Sequence, residues 1–329
     1  MQALLESLFA EKRAHARALS PRGEELVQAI AELTLRGGKR LRPATAYAAF
    51  RAVRGDADAD SVLEFSVALE LLQTYFLIQD DWMDRDDERR GGPAVHAAFG
   101  ARLGDAHLGA SLALLASDLA SGFSWELLAS APFPSARKPE AFAAFCQMHA
   151  EVVYGQQLDV LAHDDIERTH DLKTGSYTVR GPLRLGALMG DASADQLAAL
   201  ERFGTPLGVA FQLRDDLLGA FGDRTVLGKP AGLDIRAGKP SRVVAEARQA
   251  LSPIDRAHFD RTFGDAEATD EAVLRATELV VESGARARIE SRLTELVERA
   301  RAALAGAPFD PSGTVLLEDL ARRLTQRHQ

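Results

Sequence analysis

The sequence predicts an all-α helical bundle, and three observations predict it. Apolar residues recur at helical spacing along nearly the whole chain, while stretches of alternating Val, Ile, Thr and aromatic residues are almost absent. Prolines stand between the periodic segments or in their first turns, with Pro206 the exception. The segment Ser61–Gln79 is apolar on almost every face, which marks a central helix with others packed around it.

Taken in order, helices are expected at 2–18, at 22–36 after Pro21, at 40–53 after two glycines, and at 58–86. Further helices are expected at 94–102 after Pro93, 105–129, 137–165, 168–178 and 182–190. Residues 193–221 form one long periodic run, in which Pro206 predicts a kink or a break. The remaining helices fall at 240–250, 253–260, 268–281, 283–305 and 313–327. A length of 329 residues allows about two domains. A single domain over 1–329 is expected instead, because the one candidate linker, Ser130–Glu140, is short enough to be an interhelix loop.

Composition excludes several classes. Hydrophobic residues make up 46% of the chain, ample for a full core. A net charge of −9 and a pI near 5.5 argue against non-specific binding to nucleic acid or to anionic membrane. The single Cys146 rules out a disulfide framework and a multi-cysteine zinc site, and its apolar surroundings predict a small buried hydrophobe. There is no basic leader followed by a long apolar core and no run of 18 apolar residues, so a cytoplasmic protein without stable membrane insertion is expected.

The chemistry sits in charged clusters. After the central apolar run, "DDWMDRDDE" places Asp80 and Asp84 one turn apart on one helix face, with Asp81 to the side. Phe76 and Gln73 lie on or near the same stripe, one and two turns below. Such a cluster is either a solvated helix end or a site that works once cations fill it. A second acidic pair, Asp215 and Asp216 in "FQLRDD", again ends an apolar run. Mg²⁺ takes carboxylate oxygens and keeps positions open for phosphate. Two such clusters brought together could hold ions, and the ions a diphosphate. Cations complete the pattern: Lys39 and Arg42 in "RGGKRLRP", Arg89 and Arg90 after the first acids, Lys173 in "DLKTGS", and Lys229 and Lys239 in "GKPAGLDIRAGKP". The glycines beside them suit close backbone approach to an anion. GGKR lacks the spacing of a P-loop, so nucleotide phosphate transfer is not favoured.

In order, "GGKRLRP", "DDWMDRDDERRGGPAVH", "GQQLD", "KT", "FQLRDD" and "GDRTVLGKPAGLDIRAGK" resemble the trans-isoprenyl diphosphate synthases, the polyprenyl synthetase family, over about residues 35–245. The resemblance implies a helical bundle around a deep central cavity, usually a homodimer. It also implies head-to-tail (1′–4) condensation of isopentenyl diphosphate with an allylic diphosphate. Asp80 and Asp84 then match ligands of two Mg²⁺ ions and Asp215 of a third, with Asp81 and Asp216 supporting; Mn²⁺ is the alternative metal. Arg89, Lys173, Lys229 and Lys239 match contacts to the allylic diphosphate. Lys39, Arg42, Gln73 and Arg90 match the isopentenyl diphosphate pocket. Thr174 and Gln212 match residues facing the forming allylic cation, and Asp159 a supporting acid.

The second motif departs from DDxxD, since its last acid is Gly219; Asp223, one turn on, is a partial substitute. The family's "GKR" reads Gly238-Lys239-Pro240. Tyr75 and Phe76, before the first motif, are either core aromatics or the floor that sets product length. The family pattern makes farnesyl diphosphate (C15) the expected product and geranylgeranyl diphosphate (C20) the alternative. A class I terpene cyclase is the rival enzyme, but it would lack the Lys39/Arg42 pocket and carry further motif residues after Asp215. A non-catalytic regulatory subunit is the other rival; such subunits tend to lose acids that are present here.

Overall fold

A computed structural model describes residues 1–56, 59–161, 163, 165–222 and 232–325, with only the backbone of residue 233. Its described elements are helical apart from one small hairpin. They group into two compact units, the first made of Met1–Phe145, Pro182–Ala192 and Asp310–Gly313. The second comprises Cys146–Gly181, Ser193–Phe309 and Thr314–Gln329.

The first unit is built around α4 (Asp60–Met83), preceded by α1 (Gln2–Leu19), α2 (Gly23–Leu35) and α3 (Leu41–Arg54). Phe65, Leu69, Leu71, Leu72 and Ile78 are fully buried, so the apolar run is the core helix that its composition predicts. Its main neighbour is α6 (Ala106–Ser130). The buried face of α6 is a stripe of small residues, Gly109, Ala113, Ala116, Ser117, Ala120 and Ser124, which lets the helices approach closely. Ser124 Oγ donates to Ala68 O across the pair at 2.9 Å.

α4 stops at Met83, three residues before the expected end, and Asp84 caps it. Arg85 turns left-handed at φ 59°. Acids at a helix C-terminus oppose the helix dipole, so extending the helix through Asp86 would be unfavourable. The chain then forms the hairpin β1 (Glu88–Arg89) and β2 (Gly92–Pro93), joined by Arg90 and Gly91 at φ 53° and 72°. Two successive positive φ values make a tight reversal that matches strand twist. α5 (Val95–Leu103) follows and meets α6.

α7 (Lys138–Val160) passes from the first unit into the second. It corrects one expectation. Cys146 is exposed, because α7 buries Phe145, Met148 and Val152 while Cys146 lies on the other side of the helix. After α8 (Ile166–His170), residues Asp171–Arg180 form a π-helix where an α-helix was expected, and α9 (Gly181–Met189) follows. α10 (Ala194–Phe221) runs unbroken through the buried Pro206. The missing N–H removes one helical hydrogen bond, yet no break results. α10 packs on the π-helix and on the helix Ala285–Ala302.

Glycines set two close crossings in the second unit. A Cβ on Gly155 of α7 would lie 2.7 Å from Lys173 Cα and 2.8 Å from the Leu172 carbonyl carbon. Gly175 meets Gly208 of α10, where a Cβ on Gly208 would lie 3.3 Å from Gly175 Cα. The π-helix thus lies close against both α7 and α10, and at Gly155 the contact leaves no space for a side chain.

Candidate active site

In the first unit, Asp80 and Asp84 keep the one-turn relation that their spacing predicts, with Asp84 N donating to Asp80 O at 2.8 Å. Between Gln73 and Asp80, α4 leaves Gln73, Phe76, Leu77, Gln79 and Asp80 partly exposed and buries Thr74, Tyr75 and Ile78. An open stripe therefore leads along one face of the core helix to the carboxylates. Tyr75 packs behind that stripe, with its ring centroid 4.7 Å from that of Phe76 at 53°.

The hairpin folds Arg89 back onto the acids. Its guanidinium bonds buried Asp81, lies 3.3 Å from Asp86 and reaches Asp80 at 3.6 Å. Burial pushes the Asp81 carboxyl above its ordinary range, and Arg89 pulls the other way. Asp81 Oδ2 is buried with no hydrogen-bond partner among the described residues. Arg90, on the turn, is depressed by burial and by its neighbours Arg40, Arg42 and Arg89, with Glu70 opposing. In the turn before α3 and its first residues, Lys39 is exposed and Arg42 is buried.

Arg40 is a residue that the motif reading left without a role. It takes a left-handed φ of 48° before α3, pairs with buried Glu70 of α4, and donates to Thr34 O at 2.8 Å. It anchors the turn that presents Lys39 and Arg42. Glu70, an acid inside the mostly apolar α4 run, was the available signal for a buried pair.

In the second unit, Lys173 of the π-helix pairs with Asp159 of α7 at 2.6 Å, so two expected residues are brought together. Thr174 follows, partly exposed. On α10, Asp215 is partly exposed and Asp216 is buried. Asp216 accepts from Gln212 Nε2 at 3.1 Å and from the backbone N–H of Arg242 at 2.9 Å. Burial raises its carboxyl to about 6, while those two donors lower it. Asp216 thus ties α10 to the start of α11 (Arg242–Ala250), just after exposed Lys239.

His170 was not singled out by sequence. It is mostly buried, 3.9 Å from Asp216, and burial lowers its imidazole to about 4, with Asp159 opposing. Its only sequence signal was its place one turn before Lys173. Lys229 and Asp223 lie outside the described residues.

A sequence model of the family "Polyprenyl synthetase" matches residues 24–280. The chain is 33% identical over 269 residues to a short chain isoprenyl diphosphate synthase of Methanothermobacter thermautotrophicus, covering 80% of this chain and 78% of that protein. It is 32% identical to a geranylgeranyl diphosphate synthase of Methanosarcina mazei, over 90% of this chain and 88% of that one. Among solved structures, it is similar to a geranylgeranyl pyrophosphate synthase of Corynebacterium glutamicum complexed with isoprenyl diphosphate and magnesium. There the TM-score is 0.91, the identity 32%, and the coverage 99% of this chain and 97% of that one.

Proposed function

The chain belongs to the polyprenyl synthetase family, and from that premise we propose how its residues carry out head-to-tail prenyl transfer. It is a short-chain trans-prenyl diphosphate synthase, a transferase of isoprenyl groups that uses a divalent metal. The observation that carries the residue-level reading is the open stripe of α4, which ends in carboxylates with Arg89 folded back onto them.

Asp80 and Asp84 would hold two Mg²⁺ ions and Asp215 a third. The donor set fits: all are carboxylates, hard oxygen ligands. Asp81 Oδ2, buried with no hydrogen-bond partner among the described residues, is a further carboxylate oxygen beside that set. Among the described residues no three His, Cys, Asp or Glu side chains close a cage, so diphosphate oxygens and water would complete the coordination. Bound there, the ions would neutralise the leaving diphosphate and promote ionisation of the allylic C–O bond.

The chain's own groups do the rest. Arg89, Lys173, Lys229 and Lys239 hold the allylic diphosphate; Lys39, Arg42, Gln73 and Arg90 hold isopentenyl diphosphate. Arg89 is ion-paired with the acids, so substrate binding would exchange carboxylate partners for phosphate oxygens. Thr174 and Gln212 turn oxygens toward the developing cation. Asp216 acts through hydrogen bonds, holding Gln212 and the Arg242 backbone in place.

The product reading shifts toward C20. The similar proteins of M. mazei and C. glutamicum are geranylgeranyl synthases, and of the two aromatics only Phe76 opens on the stripe. The Tyr75–Phe76 pair favours C15 as the second reading. A homodimer is supported by α6, whose Leu108, Leu114 and Leu115 are exposed at 45%, 40% and 54%. α4 and α6 are both long and apolar enough to cross a membrane, but α4 is spent on the core.

The test is elongation. Purified protein is incubated with Mg²⁺, isopentenyl diphosphate and separate C5, C10 and C15 allylic diphosphates, and the products are sized by mass spectrometry. Products stopping at C15 or C20 support the reading; no elongation by folded protein refutes it.

A further inference from the structure

We propose that Asp171 and Arg180 are a positioning pair that holds residues 171–180 in the π register and so sets Lys173 and Thr174 in place; this rests on the synthase reading above, which gives those two residues their roles. The first and last residues of the π-helix are joined side chain to side chain. Arg180 Nη1 donates to Asp171 Oδ1, and Arg180 Nη2 donates to Asp171 Oδ2 at 3.1 Å. A two-pronged guanidinium–carboxylate pair fixes orientation as well as distance.

Helix geometry allows this pair in one register only. The partners are nine residues apart. In an α-helix, at about 3.6 residues per turn, nine residues make about two and a half turns and leave the side chains on opposite sides. A π-helix bonds i to i+5 and takes about 4.4 residues per turn, so nine residues make about two turns and return to the same side. The end of the segment carries that bonding, with Gly181 N donating to Ser176 O five residues back. Gly175 stands between the partners on this side. A Cβ there would lie 3.2 Å from Asp171 Oδ1 and 3.6 Å from Arg180 Nη1, so a side chain would crowd the pair.

Both ends of the π-helix press on α7, which leaves a change of register nowhere to go. Near the start, Lys173 meets Gly155. At the end, a Cβ on Gly181 would lie 2.9 Å from Cγ of buried Met148 and would overlap its sulfur. Return to α register would turn one end against the other by about half a turn. Either Gly181 then leaves Met148, or Lys173 leaves Gly155 and its ion-pair partner Asp159. Arg168, the other cation near Asp171, is 3.9 Å away and 60% exposed, which makes it a weak substitute for Arg180. Asp171 and Arg180 thus act on the reaction through Lys173 and Thr174.

The experiment measures kcat and the KM of each substrate, with thermal melts, in Asp171→Asn, Arg180→Gln, their double variant, Lys173→Gln and Asp171→Asn/Lys173→Gln. Asp171→Asn and Arg180→Gln should each lower kcat/KM for the allylic diphosphate by at least about tenfold, since misplacing a binding group by an ångström costs up to about 100-fold. The KM for isopentenyl diphosphate should stay near the parent's. The double variant should be no worse than either single one, because the two side chains act as a unit. On the Lys173→Gln background, Asp171→Asn should add little to the allylic KM. A pair that only stabilised the fold would lower the melting temperature on both backgrounds without separating the two substrates. If the neutral variants do not fold, Arg180→Lys takes their place with the same outcomes, since lysine keeps the charge but loses the two-pronged geometry. A parental allylic KM in the folded variants, with Lys173→Gln impaired, overturns the proposal and leaves the synthase reading standing. A silent Lys173→Gln removes the group being positioned, and the proposal falls with it. Absence of elongation by the parent refutes the synthase reading itself.

Discussion

Replacing Phe76 by alanine should lengthen the product by one C5 unit. Phe76 is four residues before Asp80 on α4, about 6 Å along the helix axis, on the open stripe that leads away from the carboxylates. Its ring reaches roughly 4 Å beyond Cβ by ordinary bond lengths, and one isoprene unit adds four chain bonds, or about 5 Å extended. One ring therefore corresponds to one added unit. Tyr75 should behave differently: it is only 9% exposed and backs the Phe76 ring. Tyr75→Ala should cost about 3–5 kcal/mol in stability, as large aromatic truncations do, and lengthen the product less than Phe76→Ala. The assay sizes products from a C10 starter for both single variants and the double variant, beside thermal melts. An unchanged product from folded Phe76→Ala would refute the floor assignment.

Two more outcomes follow from packing and charge in the second unit. A methyl at Gly155 would press on the backbone of residues 172 and 173; Gly155→Ala should cost about 1–3 kcal/mol by overpacking and raise the KM for the allylic diphosphate through displaced Lys173. His170, facing Asp159, Lys239, Lys173, Glu167 and Asp216, falls from 6.5 to about 4 on folding, with burial the leading cause. Unfolded chain thus binds a proton that folded chain refuses, so this stability is present above pH 6.5 and is lost as pH falls toward 4, by about 3 kcal/mol. Urea titrations of metal-free protein at pH 7.5 and 5 should show a smaller acid loss in His170→Gln than in the parent; equal losses would refute the assignment.

Much of the fold was legible because helical period, proline placement and glycine pairs are local signals. The expected helices match most observed ones within a few residues, and Ser61–Gln79 is the buried centre of its unit. The departures have non-local causes. The π-helix at Asp171–Arg180 lies close against α7 and α10 at Gly155, Gly175 and Gly208, contacts that no window along one segment can reveal. Pro206 predicts a kink or a break by local rule, yet α10 runs unbroken through it. Cys146 reads as buried by the composition around it, but burial on a helix is decided by face, and its neighbour Phe145 holds the inner one.

The candidate site divides along the same line. Spacing placed Asp80 and Asp84 on one face, because i, i+4 geometry belongs to the helix alone. Spacing could not tell which acid of each pair is inward. Asp81 and Asp216 are the buried members, and each is held by a partner from elsewhere: Arg89 brought back by the hairpin, and the Arg242 backbone brought in by a later helix. This shapes what the two pairs can do. A buried carboxylate already committed to one donor is costly to strip and suited to fixing its neighbours, whereas the half-exposed Asp80 and Asp215 can change partners at little cost. On the proposed reading the inner acids would build the site and the outer ones would meet the ligand, a division of roles that the identical letters D-D conceal.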